Sequence, residues 1–349
     1  MNRPVPPLPV AGAPSSARPL PPVEQVRPGV WSIPVPLPNT SLGYVLVYVF
    51  ETDAGPYLVD AGWNTDEAYA ALDAGLTAVG TRIQDVRGVL VTHVHPDHYG
   101  LAARVRKASG AWVSLSPADA AVLDQLEEPG WAPRLLETLI RCGAPMDVVD
   151  RQREQLTAAA VAARGELPRP DVLLTDRARP DVPGWEITAL WTPGHSPGHL
   201  CFWEPRHRLM LSGDHVLPRI TPNVPAPRGE DDTLGAYLRS LDRLDRYPAI
   251  EVLPAHEHRF GDLAGRIAEL RRHHDQRFAE VLAAVSEGAE VVWDVAARMH
   301  WSLPWLSFDG MAQRSAAGEA FAHLRALARR GVLIEEPGET LRWRLAAGG

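Results

Sequence analysis

Lysine is almost missing from this chain. Lys107 is the single one among 349 residues, so Schiff-base chemistry or a lysine-lined anion pocket would rest on one side chain or pass to arginine. Cysteine is scarce too: Cys142 and Cys201 are too few for a disulfide framework, which fits a reducing cytoplasm and leaves both as buried thiols. No apolar run is long enough to span a bilayer, and the first residues are proline-rich instead of a charged stretch followed by an apolar one. Neither a membrane span nor a secretory leader is therefore expected. Positive charge is not in excess: the formal balance of −8 argues against a nonspecific nucleic-acid binder, while leaving room for a local basic groove. What remains is a globular composition, a length that favours two domains, and a prior toward small substrates in a cytoplasmic setting.

What is present is a cluster of potential ligands. In Val91-Thr92-His93-Val94-His95-Pro96-Asp97-His98-Tyr99-Gly100, four donors fall within six residues at the end of an apolar run. Val89, Leu90 and Val91 read as a buried strand, and residues two apart in extended chain point the same way, so His93 and His95 can converge on one ion. Pro96 breaks the strand, and Asp97 and His98 on the turn beyond can face a second ion before a helix over Leu101 to Lys107. Neutral imidazole and carboxylate suit zinc and similar divalent ions. One such histidine alone would be an ordinary loop residue; four at this spacing are not.

The run resembles the H-x-H-x-D-H motif of the metallo-β-lactamase fold superfamily. Downstream, Thr192-Pro193-Gly194-His195-Ser196-Pro197-Gly198-His199 matches that family's T-P-G-H-[ST]-x-G-H element, and Ser212-Gly213-Asp214-His215 its G-D element. The resemblance implies an α/β fold, the four-layer αβ/βα metallo-β-lactamase sandwich, with ligands at strand ends. It implies two divalent metal ions, zinc first: His93, His95 and His195 on one, Asp97, His98 and His256 on the other, and Asp214 bridging both. It also implies that Asp60 orients the metal loop, that His199 is structural, and that Asp97 orients the attacking hydroxide or relays its proton. True β-lactamases with H-x-H-x-D-H lack the bridging aspartate, and those with a cysteine ligand place it where Asp214 stands, so antibiotic hydrolysis is a poor expectation.

The rest of the chain reads in order. Residues 1–23 are a proline-rich tail with little to pack, and 24–260 form the catalytic domain, opening on strands near Val30, Tyr44 to Phe50 and Tyr57 to Val59. A helix follows over Thr65 to Val79. Ala118 to Leu126, Trp131 to Arg141 and Met146 to Ala163 read as an inserted helical segment, about 117–164, either scaffold or a lid in which Trp131, Arg134 and Arg141 are candidate pocket residues. Trp185 to Trp191, Cys201 to Trp203, Leu209 to Leu211 and Ile250 to His256 return to strand, with a helix over Leu234 to Leu244. Arg219 and Asn223, on a proline-punctuated loop, are candidates for substrate contact, and His215 for pocket lining or packing. Residues 261–349 hold three helices, the first with an apolar face from Leu263 to Val285, and a hairpin across Pro337-Gly338. This order resembles the winged-helix domain of the superfamily branch that includes the lactamase-like protein 2. With 11 arginines against 12 acidic residues there, packing or dimerisation, as a homodimer, is expected over DNA binding.

The function expected is a binuclear hydrolase whose metal-bridging hydroxide attacks a small ester or thioester substrate. A phosphodiesterase or endoribonuclease acting on RNA is the alternative, and a DNA-binding metal or ligand sensor a third.

Overall fold

Alternation along the strands sets the layers. In Tyr44–Phe50, Leu46, Tyr48 and Phe50 share one face and Val45, Val47 and Val49 the other, and all six are buried, so the strand belongs in a sheet covered on both sides. The computed structural model describes residues 20–38, 42–128, 131–162, 168–227 and 229–347, so most of the proline-rich tail lies outside the described residues. Its first half runs β1 (Glu24–Arg27), β2 (Val30–Pro36), β3 (Tyr44–Phe50), β4 (Tyr57–Val59), α1 (Asp66–Ala78), β5 (Gly88–Leu90), α2 (Pro96–Tyr99), α3 (Ala102–Ser109) and β6 (Trp112–Leu115). The insert supplies α4 (Pro117–Glu127), α5 (Trp131–Arg141) and α6 (Met146–Ala162) before β7 (Val172–Leu173). Then come β8 (Thr188–Trp191), β9 (Leu200–Glu204), β10 (Leu209–Gly213), α7 (Thr233–Leu244), β11 (Glu251–Pro254), α8 (Leu263–Ser286), α9 (Val292–Arg298), α10 (Gly310–Arg329), β12 (Leu333–Glu336) and β13 (Arg342–Leu345).

β1 to β7 form one sheet in chain order, antiparallel as far as β4 and parallel beyond it. The second sheet has the order β11-β10-β9-β8, with only β10 and β11 parallel. Their facing sides meet in one apolar layer, Tyr48, Phe50 and Leu90 against Phe202, Leu211 and Leu253. Outside the first sheet, Val47 and Val49 share a cluster with Leu72 and Leu76 of α1 and Val105 of α3. Outside the second, Cys201, Met210 and Val252 share one with Leu241 of α7 and Ile267 of α8. The result is the expected αβ/βα sandwich: each strand splits its side chains between a helix layer and the central layer.

The caps explain several helix starts. Thr65, Ser116, Asp232, Asp262 and Asp309 each accept a backbone N–H near the start of α1, α4, α7, α8 and α10, which satisfies one of the free donors there. The strand expected from Trp185 begins only at Thr188. In the C-terminal region three helices precede a two-stranded hairpin, and the winged-helix expectation goes no further than this order of elements. These helices share their apolar core with α5, α6 and the outer face of the second sheet. The α5–α6 turn is tied down as well: the Arg141 and Cys142 carbonyls accept from Leu341 and Trp293 N–H, both at 2.9 Å.

Phe202, fully buried between the sheets, is a test of that central layer. Phe202→Ala is expected to cost about 3–5 kcal/mol of unfolding free energy, read from the shift of the urea midpoint at unchanged slope; a cost near zero would mean that the sheets are not held by this contact.

Candidate metal centre

The candidate ligands follow strand ends, His93, His95, His195, Asp214 and His256 on the loops beyond them and Asp97 and His98 in the short helix α2. β5 ends at Leu90, so His93 and His95 stand on the loop beyond it and not, as the alternation argument has it, on the strand. Pro96 does more than break that strand: it opens α2, with His95 in the N-cap position, a place where proline's missing N–H costs nothing. β8 leads to His195, β10 to Asp214 and β11 to His256. Two close approaches need glycine. A Cβ on Gly213 would lie 2.6 Å from His199 Nε2, and one on Gly198 2.0 Å from Ser116 Oγ, so both turns fit only without a side chain.

Six side chains form two groups and the seventh joins them. His93 Nε2, His95 Nδ1 and His195 Nε2 are 2.8, 3.0 and 3.2 Å apart. Beside them, Asp97 Oδ2 is 3.6 Å from His98 Nε2 and 3.3 Å from His256 Nε2. Asp214 turns Oδ1 toward the second group, 3.5 Å from His98 Nε2 and 3.3 Å from His256 Nε2, and Oδ2 toward the first, 3.6 Å from His195 Nε2. Bonds of about 2.1 Å in tetrahedral array put neighbouring donors roughly 3.4 Å apart; the separations of 3.3 to 3.6 Å around Asp97 and Asp214 match this, and those among His93, His95 and His195 are shorter. All seven expected residues are therefore brought together, in three overlapping groups that could hold metal ions: His93, His95 and His195; His93, His98 and Asp214; and Asp97, His98 and His256.

Hydrogen bonds to the outer ring nitrogens decide which nitrogen is left with a lone pair. His98 Nδ1 donates to Asp60 Oδ2 at 2.8 Å, His195 Nδ1 to the Asn223 carbonyl at 2.8 Å, His256 Nδ1 to the Tyr44 carbonyl at 3.0 Å and His93 Nδ1 to Thr92 Oγ1 at 3.0 Å. The inward nitrogens are then acceptors facing acceptors. Among the described residues, His98 Nε2, His256 Nε2 and Asp214 Oδ1 are buried without a hydrogen-bond partner, an arrangement that costs free energy unless a proton or a metal cation lies between them. The donor set of neutral imidazoles and carboxylates thus fits divalent metal ions.

In the absence of a metal ion, electrostatics treat the two groups differently. Burial pushes the His93 ring down, helped by its histidine neighbours, and burial with the adjacent His195 takes His95 to about 3. For His256, burial works against the charged form, yet the Asp214 and Asp97 carboxylates overcome it and lift the group to about 10. His98 is raised by Asp97, Asp214 and Asp60 against the same burial penalty. Asp97, which burial alone would raise, is held at about 2 by His98 and His256. The carboxylates call for positive charge, which a proton or a metal ion supplies.

Asp60 does what the resemblance implies: from a left-handed backbone, φ 65°, it accepts from Thr92 N, Thr92 Oγ1 and His98 Nδ1. His199 is buried and structural, its Nε2 accepting the Asp214 N–H at 3.2 Å. His215 packs: it is fully buried between His199 and Tyr237, and neither ring nitrogen has a partner. Asn223 enters through its carbonyl while the residue itself is exposed, and Arg219 is engaged by Glu257 at 2.9 Å. Asp119 is the residue that sequence reasoning misses. Its carboxylate accepts from Val94 N, Ser196 Oγ and Gly198 N at 2.9, 2.9 and 2.7 Å, tying the His93–His95 loop to the His195 loop. The one signal was a capping serine followed three residues later by an acid, Ser116 and Asp119. Asp119→Ala is expected to weaken metal binding about 10–100-fold, measured by competition with a chromogenic chelator, with Asp119→Asn retaining part of the affinity. Equal affinity in Asp119→Ala and the parent would remove it from the metal support.

Comparison with known proteins agrees with this geometry. Residues 40–256 match the model of the Metallo-beta-lactamase superfamily. The chain is 28% identical over 265 residues to the Probable metallo-hydrolase YqjP of Bacillus subtilis, covering 71% of this chain and 81% of that one. It is 30% identical over 131 residues to the Atrochrysone carboxyl ACP thioesterase of Aspergillus chevalieri, 35% of this chain and 40% of that protein. The crystal structure of a metallo-beta-lactamase family protein from Thermus thermophilus superposes with a TM-score of 0.77 at 29% identity, covering 92% of this chain and 100% of that one. With the family match spanning 40–256 and His/Asp groups that could hold metal ions on a sandwich shared with these relatives, this chain is a metallo-hydrolase of the metallo-β-lactamase superfamily.

Proposed function

We propose that the chain hydrolyses a small acyl thioester, or the corresponding ester, at a centre of two zinc ions. The observation that carries this is Asp214, whose two oxygens each face one ligand group: a single carboxylate placed this way could serve both groups. Bound ions would supply Lewis acidity toward a carbonyl oxygen and lower the pKa of water. His93, His95 and His195 would hold one and Asp97, His98 and His256 the other. Asp97 reaches solvent a little more than Asp214, 16% against 11% of the side chain, and its ionised oxygen is the acceptor that orients the attacking water and relays its proton to the leaving group. Thr92, Asp60 and Asp119 keep the rings from turning away.

The thioester preference draws on the named activity of the Aspergillus relative and on the acidic, nearly lysine-free chain, which offers little to a polyanion such as RNA. Neither cysteine competes for the role of nucleophile: burial pushes the thiols of Cys142 and Cys201 up to about 12, and both are buried.

Three results are expected of the zinc-loaded protein. It cleaves an acyl thioester and not single-stranded RNA; Asp214→Ala lowers turnover at least about 10³-fold, the scale of losing several kcal/mol of metal assistance; and iodoacetamide at pH 8 leaves the rate unchanged. RNA cleavage without thioester cleavage would transfer the centre to phosphodiester chemistry. An Asp214→Ala variant as fast as its parent would remove the two-metal mechanism itself.

A further inference from the structure

The insert encloses a cavity of about 440 Å³ between α4, α5, α10 and the segment around Pro227 and Gly229. None of the seven metal ligands lines it. Its walls are nevertheless continuations of the groups that hold the centre. α4 starts beside Asp119, and Val122 and Leu126 come about one and two turns later, roughly 5 and 10 Å along the axis. On the other side, Asn223 holds His195 through its carbonyl, and four residues on Pro227 enters the wall. α4 and the loop after Asn223 thus join the supports of the two metal loops to the cavity wall.

The walls have two chemical sides. Val122 and Leu126 of α4, Phe321 of α10 and Leu341 are apolar. α5 presents Arg134, Thr138 and Arg141, spaced four and three apart and so on one helical face, with Leu135 and the single carboxylate Glu137 also in this wall, so the two guanidiniums outnumber it. Arg134 pairs with Glu128 at 3.1 Å, both about half exposed, a pair worth at most about 1 kcal/mol and easily exchanged for another anion. Arg141 is exposed and has no ion-pair partner among the described residues. Arg325, also in the wall, is different: it is buried and spent on Glu335 and the Gly229 carbonyl, at 2.7 Å each, so it closes the cavity and offers it no charge.

We propose that this cavity binds an apolar chain carrying a terminal oxyanion, carboxylate or phosphate, with the chain against α4 and α10 and the anion on Arg134 and Arg141. Its size lies at the lower end of the roughly 300–1,000 Å³ of small-molecule sites, and guanidinium forks fit either oxyanion. Combined with the hydrolase reading above, on which only this step rests, the occupant is the acyl part of the substrate, a medium-length chain with an anionic end.

Binding is measured without turnover, by calorimetry on the zinc-loaded protein with octanoate, octyl phosphate and octanamide. At least one anion is expected to bind about tenfold or more tighter than the amide, and the tighter of the two names the oxyanion. In the Arg134→Gln/Arg141→Gln double variant that margin collapses to within about threefold, whereas any anion contact at the metals would survive. Val122→Trp, which fills the cavity, abolishes binding of all three probes with the melting temperature unchanged. Equal binding of the three probes, binding of none, or a margin that persists in the double variant each overturns the proposal. Thioester cleavage with no probe binding would remove the cavity and leave the reaction, while probe binding with no thioester cleavage would do the reverse.

Discussion

A set of buried lone pairs pointing at one another is the constraint on which the rest of this molecule depends. His98 Nε2, His256 Nε2 and Asp214 Oδ1 have given up water and found no donor, a condition that is costly by itself and favourable only around a cation. It holds only if each ring is prevented from rotating toward a better partner. That is why the outer nitrogens are committed to Asp60, Asn223, Tyr44 and Thr92, and why these supports come from β3, the β4 and β5 ends and the loop after β10. The sandwich contributes rigidity at its edge: strands whose two faces are both buried cannot shift register without exposing a core, so the loops they launch start from fixed points.

How much of this was legible in the sequence follows from the range of each interaction. His93 to His98 lie within six residues and Thr192 to His199 within eight, so local spacing carries their chemistry, and the strand runs around them carry the layers. Asp119 was not legible because its three partners are 25, 77 and 79 residues away; only folding makes it a clamp. Asn223 and Arg219 were read as candidates for substrate contact, and the structure adds what their letters do not carry: the Asn223 carbonyl on His195 and the Glu257 partner of Arg219. A residue letter cannot say whether its carbonyl or its side chain is at work. His215 is the converse case, a polar type in an apolar place, whose burial holds it near 3 and therefore neutral.

On the proposals made above, the chemistry and the choice of substrate are separated in space. The candidate metal ligands lie on the loops and turns that follow strands of the sandwich, a fold on which one geometry serves many reactions. The helical insert and the C-terminal helices, in contrast, are joined to each other through a common apolar core and through backbone bonds from the α5–α6 turn, and together they wall the cavity. Changing α5 alters that wall without touching a ligand. Such a division lets specificity vary while the catalytic geometry stays put.

The near absence of lysine gives this division a sharper meaning. With Lys107 exposed on α3, nearly every cation in the chain is an arginine, and arginines here are mostly paired in place: Arg106 with Asp171, Arg259 with Glu24, Arg277 with Glu319, Arg325 with Glu335. Guanidinium suits this use because its planar fork binds carboxylate in a fixed direction, where an ammonium group would be a mobile point charge. Against that background, a guanidinium without such a partner at the rim of a cavity is a charge not used by the fold. Arg141 is one, on a helix whose neighbouring turn is anchored by two backbone bonds, so its position is kept by the scaffold while its charge stays available to an anion.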